Sequence, residues 1–477
     1  MATVKAYRLG EAGAPAFSED FEVLQKAVLQ VTDIKTNRNK YYAIELHKGA
    51  GGGGKEAFRV FTHYGRTDDL ETNPDAGAKE CRFFDETAPA MACYQQIYRE
   101  KTSAKKGYKE ISLASSRIGS SKARGTSAGE IDAKTIAKVA EQQKNAPKPK
   151  VSDLHPLVQG LISYIYAEAT NALTSTVAAK ITAQGIETPL GVLTLGQIER
   201  GEAYLQELYQ LFQSGRKSRR EMERLSGEFY TCIPHRIGRT RAAVEEAIID
   251  SMADFDQKQE TLQLMKDMLA VNGDAGVLFD SKVDAQYEAL RCNVLAMEAG
   301  SVAFREIERF VLESQVKSKT IKVHNIYTLK RPDEWDVYDT QVGNERQFFH
   351  GSRIKNWVGL LSRGILMPKI VTSMGIHRTD AGWLGNGLYF GDAACTSAFY
   401  TTPGRKGTRL MAIARVALGK SKTFNRITYG INEAPAGYDS CHGVRHTPTS
   451  PSQFADDEYV IYRSNQQRLE ALVEFAA

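Results

Sequence analysis

Three runs decide how this chain is read: FFHGSRIKNWVGLLSRGI at residues 348–365, GWLGNGLYFGDAACTSAFY at 382–400 and DDEYVIYR at 456–463. Taken singly, each residue of interest has an ordinary reading. A lone His350 is usually a satisfied core histidine, and Glu458 on a Tyr-rich strand is usually a solvated edge residue. Their succession in order makes coincidence improbable. Gly385 and Gly387, just before Tyr389, permit close backbone packing at a strand start. They are not a dinucleotide fingerprint, because G-x-G-x-x ends on Phe390 and no βαβ unit surrounds it.

Working outward, KVHNIYTL at 322–329, LMAIARVAL at 410–418 and EYVIYR at 458–463 are rich in Val, Ile and Tyr, with Gly, Pro, Asn and Asp crowding the intervals. With one helix near 304–314, this predicts an antiparallel α+β domain over 281–477. Upstream the period changes. Leu154, Leu157, Val158, Leu161, Ile162 and Ile165 recur at helical steps, and similar stripes over 197–213, 217–230, 242–255 and 257–271 predict a helical bundle at 151–280. Residues 115–150, rich in Ser, Gly, Lys and Ala, read as a flexible basic linker with room for a short helix at 131–144. Residues 1–114 alternate as strands at 40–47 and 58–66 around a glycine loop, and space Ala90, Met91, Tyr94, Ile97 and Tyr98 along one helical face. A small sheet carrying one helix follows, and the fold class is multidomain α+β.

Composition bounds the rest. With 477 residues, 42% hydrophobic and 25% charged, the chain has the balance of folded globular domains. It contains neither an apolar run of membrane-spanning length nor a secretory layout at its start, so an intracellular soluble protein is expected. The net charge of +5 is matched by residues 114–150 alone, where eight Lys or Arg meet three acids. The six cysteines stand singly, which argues against zinc or redox pairs. Cys441, His442 and His446 lack a fourth ligand nearby and read as a polar surface loop; no metal is expected. GAGGGGKE at 49–56 mimics a phosphate loop, but Glu56 stands where a Mg²⁺-binding hydroxyl is needed, and a strand follows rather than a helix.

These runs resemble the DNA-dependent poly(ADP-ribose) polymerases. The N-terminal sheet, with THYGR at 62–66 and KGYKEI at 106–111, resembles their WGR domain, with Tyr64 where Trp is customary. PLGVLTLGQI at 189–198 and LSGEFYTCIPH at 225–235 resemble their helical regulatory domain, and the three runs above resemble their diphtheria-toxin-like transferase domain. The resemblance implies NAD⁺ as substrate, ADP-ribose transfer to protein acceptors including the enzyme itself, and DNA strand breaks as sequence-independent partner. It implies a His350, Tyr389 and Glu458 catalytic set, with His350 on the adenine-side ribose and Gly351 and Ser397 on the nicotinamide carboxamide. Tyr389 and Tyr400 would sandwich the ring, Ser352 and Asn356 would support the adenosine half, and Tyr64 and Arg66 would meet DNA. Glu458 would bind the ribose 2′-hydroxyl and help deprotonate the acceptor. The chain departs from the family's habit at Leu366 and Met367, where an arginine is common, at Thr396 in place of lysine, and over 369–381. Residence in the nucleus is expected for a eukaryotic source, and in the cytoplasm or nucleoid for a bacterial one. Single-unit transfer, an NAD⁺ glycohydrolase, and a DNA-binding scaffold with an inert transferase domain are the alternatives.

Overall fold

The computed structural model describes residues 4–51, 55–124, 152–182, 185–215, 218–238, 240–272, 283–316, 319–367 and 382–477. The chain divides into two compact units, Met1–Lys148 with Thr174–Leu262, and Pro149–Leu173 with Gln263–Ala477.

In the first unit, β1 (Tyr7–Arg8), β2 (Glu22–Asp33), β3 (Arg38–Ala50), β4 (Glu56–Arg66), β5 (Ala78–Phe84) and β6 (Lys109–Glu110) form an antiparallel sheet in the order β1-β5-β4-β3-β2-β6. Helix α1 (Thr87–Thr102) lays Ala90 and Tyr94 on Leu29, Ile44, Leu46 and Val60. Those strand residues alternate with others that face the opposite side of the sheet, as strand geometry requires. That opposite side is unusual. Glu45, His47 and His63 are completely buried there.

Gly119 and Ser120 cover Glu45 and His63, while Phe21 and Phe61 stack on His47, and this corrects the expectation that a flexible linker begins at 115. Ser120 donates to Glu45 from its amide (3.0 Å) and its hydroxyl (2.5 Å), and the Gly119 amide donates to His63 Nδ1 (3.2 Å). The Lys26 ammonium donates to the carbonyls of Ala123 (2.7 Å) and Ile118 (3.3 Å). Burial alone would raise the Glu45 carboxyl, but donation from His47 and the charge of Lys26 hold it below its ordinary value. A buried carboxylate without these donors would cost several kcal/mol, about 3–5 by the usual measure, so the segment cannot detach freely. Arg117, Lys122 and Arg124 pair with Glu187, Asp20 and Asp75, so three of the eight basic residues are engaged within the unit. Residues 125–150, with the helix expected at 131–144, lie outside the described residues.

Among helices α2 (Pro156–Thr176), α3 (Leu195–Gln213), α4 (Arg219–Cys232), α5 (Arg241–Glu246) and α6 (Met252–Asn272), α2 and α6 contribute residues to both units. Thr194, Ser218 and Thr240 cap α3, α4 and α5 by accepting from the third following amide. The single helix expected at 242–255 is interrupted. The Tyr230 hydroxyl donates to the Ala247 carbonyl (2.7 Å), the Ile249 amide donates to Ser226 (2.9 Å), and Ser251 restarts the helix by accepting from the Asp254 amide (3.1 Å). Phe229, Tyr230 and Ile233 are buried, as the periodicity requires. Helix α4 meets β2 closely: a Cβ on Gly227 would sit 2.7 Å from the Thr32 carbonyl, and the Thr32 amide donates to Thr231 Oγ1 (2.8 Å). A second sheet, β7 (Leu113–Ser116), β8 (Lys180–Thr182), β9 (Gly185–Glu187) and β10 (Gly191–Leu193) in the order β7-β10-β9-β8, was not foreseen. Strands of three or four residues are too short to show a period.

The second unit is built on nine strands: β11 (Asn293–Ala296), β12 (Lys322–Lys330), β13 (Glu345–Gly351), β14 (Leu388–Gly391), β15 (Arg409–Ala417), β16 (Ser421–Phe424), β17 (Ser440–Gly443), β18 (Glu458–Ile461) and β19 (Gln467–Ala476). Their order is β11-β12-β19-β15-β13-β14-β18-β17-β16, antiparallel except for β16 with β17. After α7 (Val283–Ala289), α8 (Val302–Glu313) packs Phe304 and Val311 on Phe349, Met411, Ile413, Val473 and Phe475. The short helices α9 (Pro332–Trp335), α10 (Trp357–Arg363) and α11 (Ala394–Ala398) complete it. Asp267 of α6 meets Arg363 of α10 through two contacts of 2.6 and 3.0 Å. Among the described residues no helix is long and apolar enough to cross a membrane.

Candidate active site

Strand β18 lies inside the sheet between β14 and β17, so Glu458 is not the edge residue its Tyr-rich surroundings suggest. Its two cross-strand partners are both glycines, Gly391 on β14 and Gly443 on β17. Opposed residues of an antiparallel pair share a face, so the carboxylate has no side chain beside it on either neighbour. It is largely buried, and among the described residues nothing donates a hydrogen bond to it. Burial, with a smaller contribution from the negative Asp456, pushes its pKa up to about 7. A carboxylate poised near neutrality can take a proton in one step and return it in another.

The other residues gather on the adjoining strands. His350 is the penultimate residue of β13, and its Nδ1 lies 3.2 Å from the Tyr389 carbonyl of β14. Phe349, one residue earlier, pairs with Gly391, the same glycine that faces Glu458. Gly351 has no room for a side chain, because a Cβ there would overlap the Ser397 carbonyl. Ser397 is buried on α11, and its hydroxyl would stand 3.3 Å from a Cβ on Gly391. Thus Gly351, Gly391 and Ser397 stand close together, and Glu458 lies opposite Gly391 on the next strand.

Tyr389 shares the Glu458 face two residues along β14, and its hydroxyl donates to the Gly385 carbonyl (2.8 Å) and accepts from the Leu384 amide (2.9 Å). Those bonds fix the ring, and Gly382 is small because the ring occupies its side-chain space. Tyr400 stands in the turn after α11, 65% exposed beside the 77% exposed Phe399. Its amide donates to the Ser397 carbonyl at 3.2 Å, which ties this wall to the same helix. Asn356 Nδ2 donates to Ser352 Oγ (3.2 Å) at the entrance to α10. The expected entry loop over 369–381 lies outside the described residues.

In the N-terminal sheet the structure departs from expectation. Tyr64 stacks on Tyr42 with ring centroids 5.1 Å apart and planes 7° apart, and its hydroxyl donates to Glu80 (2.8 Å). It is a packing residue of the sheet rather than a free end-stacking platform. Arg66 binds Asp68 (2.8 Å) and the Asn37 carbonyl (3.1 Å). The expected polar loop at Cys441 is also corrected. Cys441 is fully buried on β17 with Phe454 and Val460, and His442 lies 2.7 Å from Asp457 and stacks on Tyr459 at 4.2 Å. Among the described residues no group of three or more metal-ligating side chains occurs.

The residues missed from the sequence are those that frame Glu458: Gly391, Gly443, Asp392 and Arg445. Only the acidic pair at 456–457 hinted at charge there, because the others are brought in by strand pairing over dozens of residues.

Comparison with known families accords with this geometry. Three family models match in order: the WGR domain at 25–115, the poly(ADP-ribose) polymerase regulatory domain at 152–275, and the poly(ADP-ribose) polymerase catalytic domain at 301–458. The chain is 32% identical over 319 residues to the protein mono-ADP-ribosyltransferase PARP4 of Mus musculus, covering 67% of this chain and 15% of that protein. It is 26% identical to poly [ADP-ribose] polymerase 2-A of Oryza sativa subsp. japonica (91% of this chain, 64% of that one). It is 23% identical to the protein mono-ADP-ribosyltransferase PARP3 of Homo sapiens (94% and 86%). The chain thus spans only a small part of the PARP4 relative. A transferase-type sheet with the His350, Tyr389 and Glu458 positions on three adjacent strands, preceded by both accessory domains in the family's order, makes this chain a member of the poly(ADP-ribose) polymerase family.

Proposed function

We propose that this chain is an NAD⁺-dependent protein ADP-ribosyltransferase of the polymer-forming type, stimulated by DNA strand breaks. The observation that carries the reading is the Glu458 carboxylate, raised toward neutrality and paired across the sheet with Gly391 and Gly443. NAD⁺ as substrate supplies a ribose carbon that becomes electrophilic as nicotinamide departs. The chain's own groups do the remaining work. His350 holds the adenine-side ribose, and the Gly351 backbone and Ser397 hydroxyl grip the carboxamide. Tyr389 and Tyr400 present π-faces to the cationic ring, an attraction that ends when the ring becomes neutral. Ser352 and Asn356 support the adenosine half. Glu458 accepts from the ribose 2′-hydroxyl, stabilises positive charge on the sugar, and takes the acceptor's proton.

DNA is engaged through the first unit, without base reading and therefore with strong salt dependence. Tyr64 acts there through the shape of the sheet, and Arg66, the last residue of β4, is held by Asp68. Regulation is a population shift in which α6, tied to α10 by Asp267 and Arg363, loosens when DNA is bound. Residence is nuclear in a eukaryotic cell.

Purified protein incubated with labelled NAD⁺, with and without nicked DNA, tests this on a gel. A DNA-dependent smear is expected, and Glu458→Gln abolishes it. A discrete shift would reduce the reading to single-unit transfer. Free ADP-ribose without labelled protein would replace it with a glycohydrolase, and no turnover at all would leave a DNA-binding scaffold.

A further inference from the structure

Glu458 begins its strand, and first residues of strands are ordinarily loosely held. Its side chain receives no donor among the described residues, and its glycine partners offer no side chain to wedge it. Something else must hold this strand entrance. Two residues past the end of β17, Arg445 extends its guanidinium to Asp392 (3.0 Å), the first residue after β14. The same guanidinium lies 3.6 Å from Asp457 and 3.8 Å from Asp456, and the Arg445 amide donates to Asp457 Oδ1 at 3.1 Å. Strands β14 and β17 are the two neighbours of β18. One cation therefore reaches both flanking strands and both residues that lead into Glu458.

We propose that Arg445 is a positioning residue for Glu458, stapling the ends of β14 and β17 across the entrance of β18. The inference rests on the transferase reading for its catalytic meaning but on geometry for its existence. A guanidinium suits the task because its planar fork presents five donors in fixed directions toward several carboxylates, where an ammonium on a flexible stem is a less directional point charge. His442 assists from β17, sharing Asp457 at 2.7 Å while stacked on Tyr459. The charged groups around Glu458 are Asp456 and Asp457 on its own segment, Asp392 from β14, and His442 and Arg445 from β17; Arg346 acts at Tyr459, one residue on. Removing Arg445 takes away the cation shared by Asp392, Asp456 and Asp457 next to Glu458. Those carboxylates repel one another, which opens the strand entrance, and they disfavour ionisation of Glu458.

The test uses the full chain and two readouts. The first is the titration of the Glu458 carboxyl carbon by NMR, its signal assigned by its loss in Glu458→Gln. The second is nicotinamide release against pH, resolved into kcat and KM. Arg445→Ala is expected to move the Glu458 midpoint upward by about one pH unit. It should lower kcat by about tenfold to a hundredfold, with KM for NAD⁺ changed far less. Arg445→Lys should fall between it and the parent, and Asp456→Asn should move the midpoint downward. An unchanged midpoint, with activity lost only in proportion to unfolded protein, would overturn the proposal. Should Arg445→Ala fail to fold, Arg445→Lys decides by the same readouts. If the parent protein releases no nicotinamide, the transferase reading fails, while the titration still decides whether Arg445 governs Glu458.

Discussion

The buried carboxylate that suits Glu458 to proton transfer should make it a burden on the fold, and Glu458→Gln measures that burden. Burial pushes the carboxyl from its ordinary 4.5 to about 7. At about 1.4 kcal/mol per pH unit this amounts to roughly 3 kcal/mol, which partial exposure reduces to about 2. The sign follows from proton counting. Between pH 4.5 and 7 the folded chain keeps a proton that the unfolded chain has released, so stability is greatest below 4.5 and falls as pH rises through that window. Glutamine is a neutral near-isostere that cannot ionise. The variant should therefore be more stable than the parent by about 2 kcal/mol at pH 8, and by only about 0.5 kcal/mol at pH 5. For a cooperative unit of about 200 residues, that is an increase in Tm of roughly 4–8 °C at pH 8, readable by scanning calorimetry at the two pH values. The same substitution removes activity, so stability and function would move in opposite directions. Tm differences that are equal at pH 5 and pH 8 would show that Glu458 is solvated and that burial does not raise its pKa.

Two further outcomes follow from close packing and buried charge. Gly351→Ala places a methyl group on the Ser397 carbonyl and should cost about 1–3 kcal/mol, with nicotinamide release falling at least tenfold; denaturant unfolding and steady-state rates check both. Glu45→Ala removes the acceptor for Ser120 and leaves the half-buried Lys26 beside no carboxylate. It should cost about 3–5 kcal/mol and expose residues 117–124 to limited proteolysis, whereas an unaltered digestion pattern would show that the segment is held otherwise.

Some of this architecture was legible because its signals are local. The alternation at 40–47 and 58–66 appears in β3 and β4, and the helical steps at 154–165 and 197–213 appear in α2 and α3. Helix 242–255 failed because its interruption depends on Tyr230 and Ser226, side chains of a different helix. Residues 115–124 read as linker because their composition is that of one; what orders them is a buried glutamate some seventy residues earlier. Tyr64 read as an exposed aromatic because its partner Tyr42 lies across a strand pair.

By itself the sequence determined the kinds of most elements and the order of the regions, because periodicity and short motifs are written in neighbouring positions. Tertiary structure alone decided that Glu458 lies inside a sheet rather than at its edge, that glycines from two other strands face it, and that Arg445 and Asp392 close its strand entrance. The physical reason is that burial, and with it the proton affinity of a carboxylate, depends on which strands pair across long loops, a property that no local window of residues contains.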